Sequence, residues 1–341
     1  MGLDLRPLIT PSTLKLQELA GKIIAVDAYN TIYQFLSIIR GPTGEPLTNS
    51  KGEITSHLSG LFYRNTNLLI ENIKPVYVFD GKANDLKVGE IQRRNQLKKE
   101  ATKKYHLAIE EGRIQDARKY GSRTSVLTNT MVEECKKLLS HLGIPYLQAP
   151  SDGEAAAAYL TKQGLVFAAA SQDYDSILFG ARKLVRNMAI SGKRKIPNRN
   201  AFTEVEPEIF EHDKVLQEVG LTHEQLVDVG ILIGTDFNPG GFPGIGPKTA
   251  LKLIKENGRL DNVDKIKELL PKVPYQEIRD IFLHPEIPNV DKIEFRESDR
   301  EKVLDFLCVD KSFSADRVSG TLDKMLKATS SRNHSLEQWF G

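Results

Sequence analysis

Hydrophobic positions in this chain change period several times, and each change marks an element. Short apolar or β-branched runs, KIIAVDA (22–28), KPVYVFDG (74–81), IPYLQAP (144–150) and LVFAAASQD (165–173), read as buried strands. Between them apolar residues return at three- and four-residue spacing, in NTIYQFLSIIR (30–40), LSGLFYRNTNLLIEN (58–72), NTMVEECKKLLSHLG (129–143) and EAAAAYLTKQG (154–164), which predicts helices. Strand and helix in alternation favour an α/β fold with a mostly parallel central sheet flanked by helices.

Other stretches break this rhythm. Residues 41–57, rich in Gly, Pro, Thr and Ser, predict a mobile surface loop. Residues 85–120 are polar and helical in propensity but poor in large apolar side chains, so a helix there buries little and should project as an arch. Two short strand-like stretches follow around KLVRNMAI and the Lys-rich SGKRKIP, read as a hairpin. Residues 222–258 read as helical, interrupted by TDFNPGGFPGIGPKTA. Residues 259–328 read as helical and charged with scattered prolines, and the end, ATSSRNHSLEQWFG, turns from polar to aromatic.

Composition adds limits. With 341 residues, 40% hydrophobic and 27% charged, the chain is long enough for one large domain or two smaller ones. No run approaches the roughly 20 apolar residues of a membrane span. The start, MGLDLRPLITPS, lacks the basic-then-apolar pattern of a secretory leader. Cys135 and Cys308 have no metal-ligand spacing, which fits a reducing cytoplasm. The net charge of +2 conceals an uneven distribution. Residues 82–123 hold 12 Lys/Arg against 6 Asp/Glu. The segment 181–200 holds Arg182, Lys183, Arg186, Lys193, Arg194, Lys195 and Arg199 with no acid. Basic surface set apart from acids suits a nucleic-acid enzyme, although solvated helix faces give the same pattern.

The acids stand at telling places. Asp27 and Asp80 end the two clearest strands, and in open α/β sheets the functional crevice lies beyond the carboxyl ends of the strands. A turn or helix-cap Asp reads the same way. Ser151-Asp152-Gly153-Glu154 precedes an Ala-rich helix, as a capping box or as a pair of functional carboxylates. Asp173 and Asp175 are two apart just past a strand, a spacing that in extended chain puts both on one side with Tyr174 opposite. Asp236 follows LIGT. Seven carboxylates so placed predict one cluster, which persists near neutral pH only with cations in it. Hard oxygen donors without His or Cys favour Mg²⁺ or Mn²⁺ over Zn²⁺. GGFPGIGPKTA is not a Walker A motif, because Pro247 separates Gly246 from Lys248 and Thr249. It reads as a Gly-rich turn feeding a helix N-terminus that holds a backbone phosphate, and such carbonyls also hold a monovalent cation.

These motifs in this order resemble the flap endonucleases, structure-specific 5′ nucleases of the wider family that includes the XPG repair nuclease. The resemblance runs nearly end to end, through MGLDLRPLI, IYQFL, VFDGK, LKVGEIQRR, APSDGEA, SQDYDSILFG, GTDFN, GIGPKTA and the aromatic tail. It implies a PIN-like 5′ nuclease fold with a helical arch and a helix–turn–helix that grips duplex DNA. It also implies cleavage of 5′ flaps in Okazaki fragment maturation and base excision repair, with 5′–3′ exonuclease activity, by two Mg²⁺ ions for which Mn²⁺ substitutes. Carried over, it makes Asp27, Asp80, Asp152, Glu154, Asp173, Asp175 and Asp236 the metal-holding carboxylates. Lys87 and Arg94 would engage the scissile phosphate, Tyr33 would stack on the displaced base, and Gly2 would lie near the active site. The turn with Gly244, Gly246, Lys248 and Thr249 would hold duplex DNA and K⁺, with Lys193, Arg194 and Lys195 as further backbone contacts. One departure is Asp152, where most relatives carry Glu; its shorter side chain puts direct metal ligation there in doubt. In the tail, Asn333 (where Gln is usual), Leu336, Trp339 and Phe340 resemble a motif that binds the sliding clamp PCNA. The absence of a basic extension after it suggests an archaeal type.

The implied organisation is a nuclease region with the start of the arch at 1–105 and the rest of the arch at 106–127. An internal nuclease region with the helix–turn–helix spans 128–258, followed by a C-terminal helical region at 259–328 and the clamp-binding tail at 329–341. The expected state is a cytoplasmic monomer, nucleoid-associated if archaeal. The alternatives are a non-catalytic DNA-junction and clamp adaptor with a vestigial acid cluster, and a related 5′ exonuclease or junction nuclease.

Overall fold

A computed structural model describes the chain except residues 1–2, 189–191, 196–201 and 341 and the side chains of 192–195, 202–204 and 332–340. Its centre is a seven-stranded sheet in which β2 (Ile23–Asp27), β3 (Lys74–Phe79), β4 (Tyr146–Gln148), β5 (Ala168–Ala170) and β6 (Lys183–Arg186) run parallel. Two further strands, β1 (Ser12–Thr13) and β9 (Glu208–Glu211), close one edge antiparallel, giving the order β1-β9-β6-β5-β2-β3-β4. The hairpin of β7 (Gly192–Lys195) and β8 (Phe202–Val205) stands apart from this sheet.

Side chains alternate across the sheet as strand geometry requires. Ala25, Val76, Val78 and Ala169 enter the apolar core on one face, while Ile24, Val26, Tyr77, Phe79, Ala168 and Ala170 enter the core on the other. Helices α1 (Ala28–Ile38), α2 (Ser56–Ile70) and α5 (Asn129–His141) cover the second face. Helices α6 (Gly153–Lys162), α7 (Asp175–Leu178), α8 (His212–Val219), α9 (His223–Ile233), α10 (Pro247–Asn257) and α11 (Tyr275–Leu283) cover the first. From β2 the chain proceeds outward through β3 and β4, then returns to β5 on the other side of β2. The carboxyl ends of β2 and β5 therefore flank the topological switch point, where such sheets keep their ligand crevice.

The projecting arch is α3 (Val88–Glu110) paired with α4 (Ile114–Gly121). Only small or charged residues are buried along it (Glu90, Ala101, Ala108, Ala117 and Gly121), which lets two polar helices approach with little apolar area. The loop after α1 is folded by bridges Arg40↔Pro46 and Thr48↔Ile54, and Arg40 donates to Gly44 O (2.8 Å) and Ser125 Oγ (2.8 Å). The helical reading of 259–328 needs correction. Three 3₁₀ turns occupy 260–272, and after α11 no helix or strand forms from 284 to 299. Pro285 and Pro288 deny helical amides there, and the segment is strapped instead to α5 through Arg296 N–Gly143 O (3.0 Å) and Asp299 N–His141 O (2.8 Å). Helix α12 (Arg300–Leu304) runs into a wide π turn (Asp305–Asp310), and α13 (Ala315–Phe340) continues through 328 into the aromatic end as one helix. Val318, Leu322 and Met325, on one stripe of α13, pack into the α2 side of the core. Among the described residues no helix is long and apolar enough to cross a membrane.

Away from the crevice, the first residues of α8 and α9 meet: His212 Nε2 lies 2.9 Å from His223 Nδ1. Burial, then the neighbouring His212 and Lys162, push the His223 pKa down to about 4. A His depressed in the native state stabilises the fold above its unfolded pKa and loses that contribution as pH falls through the folded value. Stability should therefore drop between about pH 6.5 and pH 4, by on the order of 3 kcal/mol. Replacing His223 with Phe should flatten this part of the profile in chemical-denaturation measurements; an unchanged acid limb would show that the pair does not titrate as described.

Candidate active site

Each predicted carboxylate arrives at the crevice by a different local device. Asp27 is the last residue of β2 and the N-cap of α1, where its Oδ1 accepts from Asn30 N at 3.1 Å. The helix-cap reading of Asp27 thus holds alongside its place at the crevice. Asp80 follows β3 and accepts at Oδ1 from Gly153 N (2.7 Å), the first amide of α6. A Cβ at Gly153 would stand only 2.7 Å from that oxygen. The capping box does not form at α6: Asp152 occupies the N-cap without a cap bond, and Glu154 accepts from Ser176 Oγ (3.2 Å). Asp152 turns instead to the arch, where Lys87 Nζ lies 2.6 and 2.7 Å from its two oxygens.

The extended-chain premise for Asp173 and Asp175 fails. Residues 172–174 form a bend after β5, and Asp175 opens the short helix α7. Tyr174 nevertheless turns away into the core, at 2% exposure, and both acids face their neighbours. Asp173 accepts from Asn30 Nδ2 at 2.9 Å. Asp236, past α9, sits in a loop pinned by Thr235 Oγ1–Asn238 Oδ1 (2.8 Å) and by buried Phe237; Arg94 Nη2 lies 2.6 Å from its Oδ1.

Electrostatics bind the set together. Burial, and next the charge of Asp80, raise the pKa of Asp27 well above the usual carboxylate range. Burial with Asp175 does the same for Glu154, and burial with Asp236 for Asp175, while burial with Asp236 also raises Asp173. Burial and Asp152 push Asp80 up to about 6. Among the described residues, no three acidic, His or Cys side chains converge closely enough to enclose an ion as they stand. Asp152 and Asp236 are drawn toward the arch cations instead. The donor set nonetheless fits a hard cation. It is oxygen only, and the buried Asp175 Oδ1 has no hydrogen-bond partner.

The arch supplies the opposite charge. Burial opposes the Lys87 ammonium, but Asp152, Asp236 and Asp80 outweigh it and raise its pKa; its Nζ also lies 4.7 Å from the Phe237 ring centre. Glu90, only 3% exposed, holds Arg93 (2.6 and 2.7 Å) and Arg94 (2.8 Å) together, and these arginines hold its own pKa down to about 2. Between the arch helices lies an open cavity of about 350 Å³ lined by Arg93, Arg94, Lys98, Glu100, Lys104, Tyr120 and Arg123. One of its lining residues, Lys98, also holds its Nζ 4.6 Å from the ring centre of Tyr33 on α1.

Models of the XPG N-terminal domain and the XPG I-region match residues 1–101 and 143–236. Flap endonuclease 1 of Nitrosopumilus maritimus is 53% identical over 340 residues, covering all of both chains. This chain belongs to the flap endonuclease 1 family. Flap endonuclease 1 of Pyrococcus furiosus is 46% identical over 341 residues, covering 100% of this chain and 99% of the relative. Among solved structures, the flap endonuclease-1 of Methanococcus jannaschii superimposes with a TM-score of 0.76 at 38% identity, covering 97% of this chain and all of that one. The catalytic core of Rad2 in complex with a DNA substrate matches with a TM-score of 0.69 at 25% identity, covering 92% and 96%.

In this flap endonuclease the Gly-rich turn continues from Asp236 into α10. Gly244 takes a left-handed φ of 74° and Gly246 is the N-cap, both exposed beside Lys248, with Thr249 half-buried. Gly2 lies outside the described residues, as do the side chains of Lys193, Arg194, Lys195, Asn333, Leu336, Trp339 and Phe340. Sequence reasoning missed Glu90, Asn30 and Ser171, whose hydroxyl accepts from Asp173 N (3.2 Å) and lies 3.4 Å from Asp27 Oδ2. Only Glu90 left a trace, three and four residues before its arginines. Replacing Glu90 with Gln should release Arg94 and lower single-turnover cleavage about 10-fold, with melting temperature and DNA affinity nearly unchanged. An unaltered rate would show that Glu90 does not hold the arginine in place.

Proposed function

We propose that this chain is a divalent-metal 5′ flap endonuclease that cuts DNA near the junction of single and double strand. The observation that carries this reading is one crevice in which Asp27, Asp80, Asp152, Glu154, Asp173 and Asp175, at or just past the ends of parallel strands, are joined by Asp236 from the loop after α9, under an arch that delivers Lys87 and Arg94 to two of the seven. The name shared by the relatives supports the flap substrate, and the DNA bound by the Rad2 core supports a nucleic-acid ligand.

Asp27, Asp80, Asp152, Glu154, Asp173, Asp175 and Asp236 would hold the cations, Mg²⁺ or Mn²⁺ by their oxygen donors. Bound there, two such ions would activate water and stabilise the leaving oxygen. The remaining work falls to the chain. Lys87 and Arg94 exchange their carboxylate partners for the scissile phosphate and offset its developing charge, where preorganised cations act most strongly. Asp152, already committed to Lys87 and shorter than Glu, would contribute through solvent rather than directly. Tyr33 offers a ring for the displaced base. The amides at the start of α10, with Lys248 and Thr249, take a duplex phosphate, and the carbonyls of the Gly244–Gly246 turn take K⁺. Lys193, Arg194 and Lys195 extend the backbone grip. The aromatic end of α13, from Asn333 to Phe340, would dock the monomeric enzyme on a sliding clamp.

Asp175→Ala should bind a flap substrate in Ca²⁺ with near-normal affinity, yet lose cleavage in Mg²⁺ by on the order of 10³-fold or more, the scale of losing a preorganised electrostatic group. Near-normal cleavage by that variant would sink the metal assignment. Binding should also be steeply salt-dependent and indifferent to sequence. Lys248→Ala should reduce the slope of log K against log[salt] by about 1, on flaps of any sequence; a slope equal to the parent's would remove Lys248 from the phosphate contacts.

A further inference from the structure

The bend at 172–174 carries Asp173 and leads straight into α7, which opens on Asp175, so it must hold two mutually repelling carboxylates still with no regular secondary structure of its own. What holds it lies on the neighbouring strand. Strand β6 runs parallel to β5 with Ala170 opposite Val185, so Arg186 comes level with the start of the bend, at Ser171. Its Nε donates to the carbonyl of Gln172 at 3.0 Å. Its Nη1 donates to the hydroxyl of Tyr174, and its Cζ lies 4.3 Å from the Tyr174 ring centre. One guanidinium thus grips the residues immediately before and immediately after Asp173.

The guanidinium is itself fixed. Glu208, directly opposite Arg186 in the β6–β9 register, pairs with Nη1 at 3.3 Å. The Tyr174 ring is wedged edge-on against Phe210 of β9, with centres 5.4 Å apart. Arg186 is 14% exposed in its side chain, so these contacts are made largely out of water, where a planar, forked donor is hard to replace. We infer that Arg186 is a positioning residue for the reaction: it fixes the backbone carbonyl before Asp173 and the Tyr174 side chain after it, and through Tyr174 the start of α7, so that Asp173 and Asp175 meet the cations at one spacing. This rests on the metal-nuclease reading above and touches neither DNA nor metal directly.

The test compares Arg186→Met, Arg186→Lys and Tyr174→Phe with the parent protein, beside Asp175→Ala as a control on the reading itself. Groups that orient metal-holding side chains typically carry about 10- to 100-fold in metal affinity or activity. Arg186→Met should therefore raise the Mg²⁺ concentration for half-maximal single-turnover cleavage, and weaken Mn²⁺ binding measured without DNA by electron paramagnetic resonance, each by about 10-fold or more. Flap affinity in Ca²⁺ should stay within about twofold, since no phosphate contact is lost. Arg186→Lys, which keeps the charge toward Glu208 but loses the fork and the stack, should not restore metal affinity. Tyr174→Phe should shift both metal readouts in the same direction by less, and should add nothing in the Arg186→Met background.

A lower melting temperature with unchanged metal readouts would overturn the inference, as would full rescue by lysine or a loss of flap affinity equal to the loss of rate. Should Arg186→Met not fold, unchanged metal readouts in Tyr174→Phe would overturn it as well. If Asp175→Ala is inactive while Arg186→Met matches the parent, only the positioning role fails; if Asp175→Ala cleaves normally, the metal-nuclease reading fails first.

Discussion

Repulsion among buried carboxylates is the constraint around which the rest of this molecule is arranged. Asp27, Glu154 and Asp175 are each pushed toward the neutral form by burial and by one another, and no single local bond relieves all three. The fold answers with partial charges of fixed position: the amide of Gly153 on Asp80, the amide of Asn30 on Asp27, the side-chain amide of Asn30 on Asp173. These anchor the acids without neutralising them. The remaining imbalance is an affinity for hard cations built into the crevice.

The arch is best understood against that imbalance. Two polar helices with few apolar contacts would have little reason to stand over the sheet. The pairs Lys87–Asp152 and Arg94–Asp236 tie the arch to the crevice, and Glu90 keeps Arg94 aimed there. In the proposed mechanism the groups that dock the arch, Lys87 and Arg94, are also those that would meet an incoming phosphate. On that reading substrate and cations together would replace the partners that hold the arch, which would make its docking and the charge state of the crevice one equilibrium.

Much of this was legible in the sequence because strands and their terminal acids have a short-range signature. KIIAVDA and KPVYVFDG predict both a buried strand and a carboxylate at its end, and the parallel order follows from the helices between. The arch was legible by what it lacks, large apolar residues. Prolines at 285 and 288 mark in the sequence itself where the helical reading of the C-terminal part breaks, since neither carries a helical amide. For Asp173 and Asp175 the conclusion that both acids face the crevice was reached through the wrong geometry: a bend and a helix start, not extended chain, bring them there. The capping-box alternative at Ser151–Glu154 was undecidable from spacing alone, since the same residues serve either purpose; the deciding contacts, Lys87 and Ser176, come from distant elements.

That distance explains what stayed hidden. Asn30, Ser171 and Arg186 support the site through register and packing, which no local pattern encodes. Arg186 reads in the sequence as one of seven basic residues in an acid-free stretch, apparently surface for DNA. In the fold it is turned inward by Glu208 across the strand pair and covers Tyr174, so its charge serves the site's geometry before any phosphate arrives. A basic stretch beside an acidic crevice thus holds residues of two kinds. Those whose charge is exposed are available to hold nucleic acid; those whose charge is spent on backbone carbonyls hold the carboxylates in place. Composition counts them alike, and only the register between β5, β6 and β9 separates them.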